Sequence, residues 1–305
     1  MQKCNLFREP GLDWRGIFAR NLSPMFGYNF HTHTHYSDGR DTPEAFVRQA
    51  IALGMKALGF SEHSPLPFDN KFSIKEKDLK NYASEVRQLA EAYQERLDIF
   101  LSIEMDYIPG ISENFDSLRQ RAGLDYVIGS VHLVGSDREE NLWFTDGPDV
   151  AVYDAGLQQF YGGDIRRAVK AFYDQTNEMI ETQQFDVIGH WDKIKMHNQN
   201  RYFTEDEAWY KDLALETLEL IASKGLIAEV NTRGLYKKRS DSLYPSQWLL
   251  QAMNERGVPV IISSDAHHPS ELLLEFDIAI RAVKEAGYRS VLVFGSNGWQ
   301  EKPLV

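Results

Sequence analysis

The sequence has almost no cysteine. Cys4 is the single cysteine among 305 residues, so no disulfide can form within the chain and no cage of thiolates can hold a metal ion. A lone thiol near the N-terminus is typical of proteins in a reducing compartment. Any metal site in this chain therefore has to be built from histidines and carboxylates.

Long apolar runs and an excess of basic residues are also missing. No run approaches the roughly 18 apolar residues of a membrane span, and no basic region followed by an apolar stretch opens the chain. We therefore expect a cytoplasmic protein with no membrane partner. The 45 acidic residues outnumber the 33 basic ones, which gives a net charge of -12. This charge works against attraction to nucleic acid backbones, so no nucleic acid partner is expected.

What the chain does have is a regular alternation of strand-like and helix-like segments. Apolar, β-branched runs alternate about seven times with segments in which apolar residues recur every three or four positions. The predicted strands are 28–33, 57–61, 99–104, 126–131, 187–190, 227–231 and 258–263, and a run at 291–294 closes the series. Nothing resembling a linker divides them. The sequence predicts a single α/β domain over 1–305, with a parallel sheet and a short N-terminal extension at about 1–26.

Side chains that can bind metal ions stand where these apolar runs end. His31 and His33 are two residues apart, so on an extended strand both imidazoles point to one side, and Asp265 and His267 repeat that spacing. Either pair alone could be a chance exposed motif or a helix cap. Further apolar runs end at Glu104, His132 and His190. Because an unpaired buried carboxylate or imidazole is costly, and the C-terminal strand ends of a closed barrel share one face, we predict a metal site there.

These residues resemble those of a known family. The chain is similar to the polymerase and histidinol phosphatase (PHP) superfamily at His31-x-His33, Ser37-Asp38-Gly39, Glu62-His63, Glu104, His132, His190 and Asp265-x-His267. Longer phrases resemble its stand-alone histidinol-phosphate phosphatases: Gly59-Phe60-Ser61-Glu62-His63-Ser64-Pro65, Glu104-Met105-Asp106-Tyr107, Gly129-Ser130-Val131-His132, Gly189-His190-Trp191-Asp192, Glu229-Val230-Asn231-Thr232 and Tyr244-Pro245-Ser246. The resemblance implies a distorted (β/α)7 barrel of the TIM type, in agreement with the seven repeats.

The resemblance also implies three divalent metal ions at the C-terminal ends of the strands. It assigns His31, His33, Glu104 and Asp265 to the first ion, Glu104, His132 and His190 to the second, and Asp38, His63 and His267 to the third. Glu104 would bridge the first two. Mixed imidazole and carboxylate ligands suit zinc, manganese or iron better than magnesium or calcium, and we name zinc first.

The charge of such a centre indicates the substrate class. Three divalent ions with the carboxylates of Asp38, Glu104 and Asp265 leave about +3, which a bound hydroxide reduces to about +2, and a phosphate monoester dianion fits that balance. We expect hydrolysis by a hydroxide that bridges two ions, with Glu104 and Asp265 acting through the metals they hold. The resemblance implies L-histidinol phosphate, in histidine biosynthesis, as the substrate. The alternatives are a PHP phosphoesterase acting on nucleotides or oligonucleotide ends, and a non-catalytic, metal-stabilised PHP module.

A basic loop after the sixth strand offers phosphate-binding side chains. Arg233 is the first candidate, because a guanidinium can make a paired contact with phosphate, and Lys237 and Lys238 are the alternatives. His197, after the fifth strand, is a candidate for substrate contact. The competing interpretation is that these are solvated loop side chains in an acidic protein. The sequence leaves both open, and it gives no oligomeric state.

A long connection follows the fourth predicted strand. Residues at about 135–162 show no clear period and include Trp143, Phe144, Tyr153, Phe160 and Tyr161. Because the segment leaves the C-terminal end of a strand, it could fold over the metals as a lid and offer aromatic surface to an imidazole-bearing substrate. The alternative is an aromatic plug that packs on the rim of the barrel.

Overall fold

The computed structural model describes residues 27–136, 138–147 and 149–304. The extension predicted at about 1–26, which includes Cys4, lies outside the described residues. Strands and helices are numbered along the chain. The strands are β1 (Tyr28–Asn29), β2 (Ala57–His63), β3 (Asp98–Asp106), β4 (Tyr126–Ser130), β5 (Leu133–Val134), β6 (Trp143–Phe144), β7 (Val187–Ile188), β8 (Ile227–Asn231), β9 (Val260–Ser263), β10 (Ser290–Gly295) and β11 (Gly298–Pro303).

The helices occupy most of the connections between strands. They are α1 (Pro43–Ala52), α2 (Leu79–Tyr93), α3 (Phe115–Ala122), α4 (Val150–Tyr161), α5 (Ile165–Thr182), α6 (Ala208–Lys224), α7 (Arg233–Tyr236), α8 (Gln247–Glu255) and α9 (Phe276–Glu285). The start of α1 shows why these helices form where they do: the Thr42 side chain accepts from the Ala45 amide at 3.3 Å, and Pro43 is the first helical residue. Within the described residues, no helix combines the length and apolar character needed to span a bilayer.

Seven strands form one parallel sheet in the order β1-β2-β3-β4-β7-β8-β9. Its two edges meet where Thr32 and Ala266 form a parallel bridge, in which the His33 amide donates to the Ala266 carbonyl at 2.8 Å. The sheet is thereby rolled into a nearly closed barrel. The predicted distorted (β/α)7 barrel is confirmed. Every residue of β2, β4 and β8 is buried, as expected for parallel strands covered on both faces.

The eighth predicted strand does not join the barrel wall. Residues 291–294 lie in β10, which pairs antiparallel with β11 through a two-residue turn at 296–297. This hairpin closes the N-terminal end of the barrel. Its Phe294 and Trp299 rings pack against each other at 4.9 Å, and Trp299 also contacts Phe30 and Tyr126. Residues 291–294 therefore do form a strand, as predicted. The inner face of this strand covers the N-terminal end of the barrel instead of extending the barrel wall.

The connection predicted at 135–162 contains regular structure that the sequence did not predict. The strand β6 pairs antiparallel with β5, and α4 follows, capped by the Asp149 side chain at its start and by Gly162 at its end. Gly156 and exposed Val150 and Val152 weaken the apolar period of this helix. A Cβ at Gly156 would lie 2.1 Å from the Trp143 ring, so the glycine is required for the close packing of Trp143 on α4.

Candidate metal centre

The nine predicted metal ligands converge at the C-terminal end of the barrel. They occupy strand ends or the loops directly after them: His31, His33 and Asp38 after β1, His63 in β2, Glu104 in β3, His132 after β4, His190 after β7, and Asp265 and His267 after β9. Eight of these residues are buried, and the side chain of Asp38 is 33% exposed. The parallel sheet brings them together because all of its C-terminal strand ends meet at one rim.

His31, His33, Glu104 and Asp265 form a first group. Oε2 of Glu104 lies 3.2 Å from His31 Nε2 and 3.4 Å from His33 Nε2, and Oδ1 of Asp265 lies 3.9 Å and 3.4 Å from the same two nitrogens. Ligand atoms at about 2.1 Å from one tetrahedral ion are about 3.4 Å apart. Each of the two carboxylates therefore lies about as far from the two imidazole nitrogens as ligands of a common cation do.

Asp265 reaches this group by a backbone path that differs from the extended one predicted. The strand β9 ends at Ser263, and Asp265 has φ +51°, in the left-handed region, which acidic and amide residues tolerate better than most. Hydroxyl and guanidinium donors from Tyr236 and Arg233 bind the Asp265 carbonyl at 3.1 Å and 2.6 Å. Asp265 and His267 are therefore turned toward this group by a held turn rather than by the strand alternation that the spacing predicted.

Glu104, His132 and His190 form a second group on the other oxygen of the shared carboxylate. Oε1 of Glu104 lies 3.0 Å from His190 Nε2 and 3.5 Å from His132 Nε2, and the two imidazole nitrogens are 3.2 Å apart. Glu104 thus presents one oxygen to each group. This is the arrangement expected of a carboxylate that bridges two ions.

Asp38, His63 and His267 form a third group at the solvent side. Oδ1 of Asp38 lies 3.0 Å from His267 Nε2 and 3.9 Å from His63 Nε2, and His33 has a ring nitrogen within 4.8 Å of ligand atoms of all three. The loop that carries Asp38 is fixed from below by Glu62, whose carboxylate accepts from the Thr34 amide at 2.9 Å and from the hydroxyls of Thr34 and Ser37.

Buried ring nitrogens without a partner show that the site fits cations. His31 Nε2 and both nitrogens of His33 have no hydrogen-bond partner, although both rings are fully buried. Burial and the neighbouring His267 and His63 lower the pKa of His33 to about 3, so this ring is neutral, the form that binds metals. A buried nitrogen lone pair that has neither a hydrogen-bond donor nor a metal ion as its partner is costly. A divalent cation in the first group would bind the Nε2 atoms of His31 and His33.

Two buried acids that the sequence argument did not assign hold the histidine rings in place. Glu229 contacts His31 Nδ1 at 2.5 Å and accepts from the His190 amide at 2.9 Å. Asp106 contacts Nδ1 of His132 at 2.5 Å and of His63 at 3.2 Å. Burial opposes ionisation of Asp106, but His63 and His132 lower its pKa below the ordinary value. A carboxylate on Nδ1 leaves the Nε2 lone pair for a metal.

Sequence signals for these two acids existed. Asp106 is two residues after Glu104, and Glu229 stands inside the apolar run Ile227-Ala228-Glu229-Val230. A carboxylate inside a buried strand requires a buried partner, and His31 and His132 are those partners.

A cavity of about 180 Å³ opens onto the three groups. It is lined by Asp38, His63, Phe72, Glu104, His132, Phe144, Asp146, Gly147, Lys193, Arg233, Arg239, Asp265 and His267. Lys193 is buried, with Nζ 2.8 Å from Asp146 and 3.9 Å from Asp265. Burial opposes its charge, but Asp146, Asp265 and Glu104 raise its pKa above the ordinary value. The ammonium is therefore held as a cation beside the predicted metal ligands.

The sequence predicted four substrate-binding residues, and Arg233 is the one among them that lines the cavity. Lys237 is paired with Glu271, and Lys238 is exposed. His197 is buried with Nε2 2.7 Å from the Gly147 carbonyl, behind the cavity wall. Lys193 and Arg239 take positions in the lining that sequence reasoning did not foresee. Lys193, Lys195 and Arg201 follow β7, and nothing in the local sequence distinguishes buried lysines from solvated basic residues.

The segment at 135–162 contributes to both the packing and the cavity. Trp143 and Tyr153 are buried against each other at 4.8 Å, as expected of a plug. Phe144 stacks on Phe72 at 5.5 Å at the cavity wall, and Asp146 and Gly147 also line it. The segment therefore forms one side of the cavity, and its closure as a lid stays a prediction.

Comparison with known proteins gives a consistent result. The model of the PHP domain family matches residues 29–233. A protein of Deinococcus radiodurans named "Probable histidinol-phosphatase" is 30% identical over 265 residues, which cover 86% of this chain and 94% of that protein. The histidinol-phosphatase of Lactococcus lactis subsp. lactis is 24% identical over 270 residues, which cover 87% and 93%.

A crystal structure of histidinol phosphate phosphatase from Lactococcus lactis, complexed with zinc, L-histidinol and phosphate, is similar in fold. The TM-score is 0.67 at 22% identity, and the match covers 90% of this chain and 98% of that chain. The fold of this chain is thus one already observed in an experimental structure.

Proposed function

Because the chain belongs to the PHP domain family, we propose that it is a metal-dependent phosphomonoesterase that hydrolyses L-histidinol phosphate in histidine biosynthesis. The observation that carries the proposal is the convergence of three groups of metal-ligating side chains around Glu104, directly beside a cavity that contains Lys193, Arg233 and Arg239. The substrate comes from the relatives named histidinol-phosphatase. The cytoplasm is the proposed location, in keeping with the single cysteine.

The residues suit divalent metal ions, and the proposal assigns three of them. His31, His33, Glu104 and Asp265 would hold the first, Glu104, His132 and His190 the second, and Asp38, His63 and His267 the third. We propose zinc first, because the Lactococcus enzyme was crystallised with it, and manganese or iron as alternatives with the same ligand preferences. Bound ions would supply a water activated near neutral pH and positive charge at the phosphoryl oxygens.

The charges of the cavity explain why cations are needed for this substrate. With the three lining histidines counted as neutral ligands, four carboxylates, Asp38, Glu104, Asp146 and Asp265, face three cationic side chains, Lys193, Arg233 and Arg239, which leaves one net negative charge. A phosphate dianion would be repelled by the protein alone. Ions held by Glu104 and Asp265 reverse the sign, and we assign these two carboxylates their catalytic role through that charge.

Lys193 and Arg233 are the proposed phosphate contacts. Both lie beside Asp265, at 3.9 Å from its Oδ1 or Oδ2, so they flank the first ion position from the cavity side. Arg233 offers two parallel donors to a phosphoryl group, whereas Lys193 offers a single point charge. Phe72 and Phe144, stacked at the wall, offer apolar surface for the imidazole of the leaving alcohol.

A phosphate-release screen on protein of measured metal content tests the proposal. We expect the highest kcat/KM for L-histidinol phosphate, lower values for p-nitrophenyl phosphate, and little release from nucleotides. The control is Glu104→Gln, which should lose both metal and activity. A metal-loaded protein that prefers nucleotides would refute the substrate, and one that hydrolyses no ester would refute the enzyme.

A further inference from the structure

Arg233 contacts a proposed metal ligand as well as the cavity. Its side chain is 13% exposed, and Nη1 lies 2.7 Å from His267 Nδ1 and 2.6 Å from the Asp265 carbonyl. The Tyr236 hydroxyl is 3.3 Å from the same nitrogen, and carboxylate oxygens of Asp265 and Glu271 lie 3.9 Å and 4.0 Å from it. The guanidinium is therefore held against the ring edge of His267 that faces away from Asp38.

The direction of the hydrogen bond between Arg233 and His267 is fixed by chemistry. A guanidinium has donors and no acceptor, so His267 Nδ1 has to accept. The neutral ring then carries its proton on Nε2, which lies 3.0 Å from Asp38 Oδ1 and donates to it. In this state the nitrogen that faces the third ion position has no lone pair for a metal.

The other two groups lack this conflict. Nδ1 of His31 and of His132 faces a carboxylate, Glu229 and Asp106 respectively, so in the neutral form of each ring the proton is on Nδ1 and Nε2 carries the lone pair. His267 Nδ1 also has an acceptor within reach as an alternative to the Arg233 donor, because the Asp265 carbonyl lies 3.0 Å from it. A proton on Nδ1 would donate to that carbonyl, and Nε2 would then be able to bind an ion.

We propose that Arg233 and the third metal ion compete for His267, so that this ion binds more weakly than the other two and binds only when the guanidinium leaves Nδ1. The inference rests on the third ion position assigned in the proposed function. Two effects act in the same direction. Arg233 holds the ring in the tautomer that cannot ligate through Nε2, and its positive charge opposes a cation next to Asp38 and Asp265.

Zinc titration tests the competition without reference to activity. Purified protein is dialysed against a weak chelator, its retained zinc is counted by elemental analysis, and further zinc is added in a calorimeter. We expect the last zinc to bind wild-type protein at least about tenfold more weakly than the retained ions, and Arg233→Met to tighten that step about tenfold. Arg233→Lys, which keeps the charge, should tighten it less.

Arg239→Met is the matched control. It removes a positive charge from the same cavity, although no contact between Arg239 and His267 exists among the hydrogen bonds and ion pairs of the described residues. We expect its affinity for the last zinc to differ from that of the wild-type protein by less than about threefold. The proposal would be overturned if Arg233→Met bound the last zinc with the same affinity as the wild-type protein, or with a lower one.

The ring nitrogens of His267 give a second measurement that needs no Arg233 variant. In histidine-labelled wild-type protein with only the retained ions, we expect the 15N shifts of a ring protonated on Nε2, and a switch to Nδ1 protonation after the last zinc. Assignment uses His267→Gln. A ring already protonated on Nδ1 before that zinc would overturn the competition. If the competition is observed in a protein that hydrolyses no phosphate ester, the inference stands and the proposed function fails.

Discussion

The two ends of the barrel are both buried, but they are filled with opposite kinds of side chain. The N-terminal end is apolar and sealed, because the hairpin of β10 and β11 places Phe294 and Trp299 against Phe30 and Tyr126. The C-terminal end holds charged and imidazole side chains just as deeply, with Glu104 1% and Glu229 0% exposed. One end contributes stability, whereas the other keeps ionisable groups in place that would not be there for stability alone.

The largest expected effect is at the C-terminal end. Glu104→Gln removes the charge shared by the first two groups, and we expect kcat/KM for L-histidinol phosphate to fall by about a thousandfold or more. Elemental analysis of the same preparation should show lost metal. Glu219→Gln, on the exposed surface of α6, is the control and should change neither quantity.

A substitution at the opposite end should separate stability from activity. Trp299→Ala removes a ring packed on three aromatic neighbours, and we expect the free energy of unfolding to fall by about 3 kcal/mol. Denaturant titration measures it, with exposed Gln300→Ala as the control. If Trp299→Ala instead changed kcat/KM tenfold in folded protein, the two ends would not be independent.

The acids behind the histidines should have a smaller effect than the ligands themselves. Glu229→Gln retains the shape but weakens the acceptor for His31 Nδ1, and we expect a loss of about 10-fold to 100-fold in metal affinity or kcat. The affinity can be measured by competition with a chromogenic chelator. An unchanged affinity together with unchanged kcat would mean that the ring is held by packing alone.

The smallest expected effects distinguish a buried candidate phosphate lysine, Lys193, from an exposed one, Lys238. Lys193→Met should raise KM for the phosphate ester about tenfold, because a buried cation is lost from the cavity, while Lys238→Met should change it less than about twofold. Steady-state kinetics on both variants, with metal content held equal, makes the comparison. The reverse order would place the substrate over the loop after β8 rather than in the cavity.

Sequence reasoning could predict the rim of the barrel better than what lies behind it. The strand ends with His31, Glu104 and His190 were predicted to converge because a carboxylate or imidazole interrupts an apolar run in a recognisable way. Asp106 and Glu229 interrupt such runs too, but their partners are distant in sequence and become visible only when the strands are side by side.

The residues of the cavity wall that sequence reasoning did not predict were missed for a different physical reason. Lys193 is buried because Asp146, which arrives from the inserted segment, lies 2.8 Å away. The helix α4 within that segment is placed by the packing of Trp143 at Gly156, a tertiary contact with little trace in local periodicity. When an inserted segment supplies the partner of a side chain, as here, the neighbours of that side chain in sequence do not reveal whether it is buried at the cavity.

The central claim is that imidazoles and carboxylates from distant strands share cations at one rim of the barrel. An anomalous difference map from crystals soaked in zinc tests it most directly. We predict one peak among His31, His33, Glu104 and Asp265 and a second among Glu104, His132 and His190, on opposite oxygens of Glu104. A map without peaks at these positions, or with zinc only at surface histidines such as His35 and His268, would contradict the account.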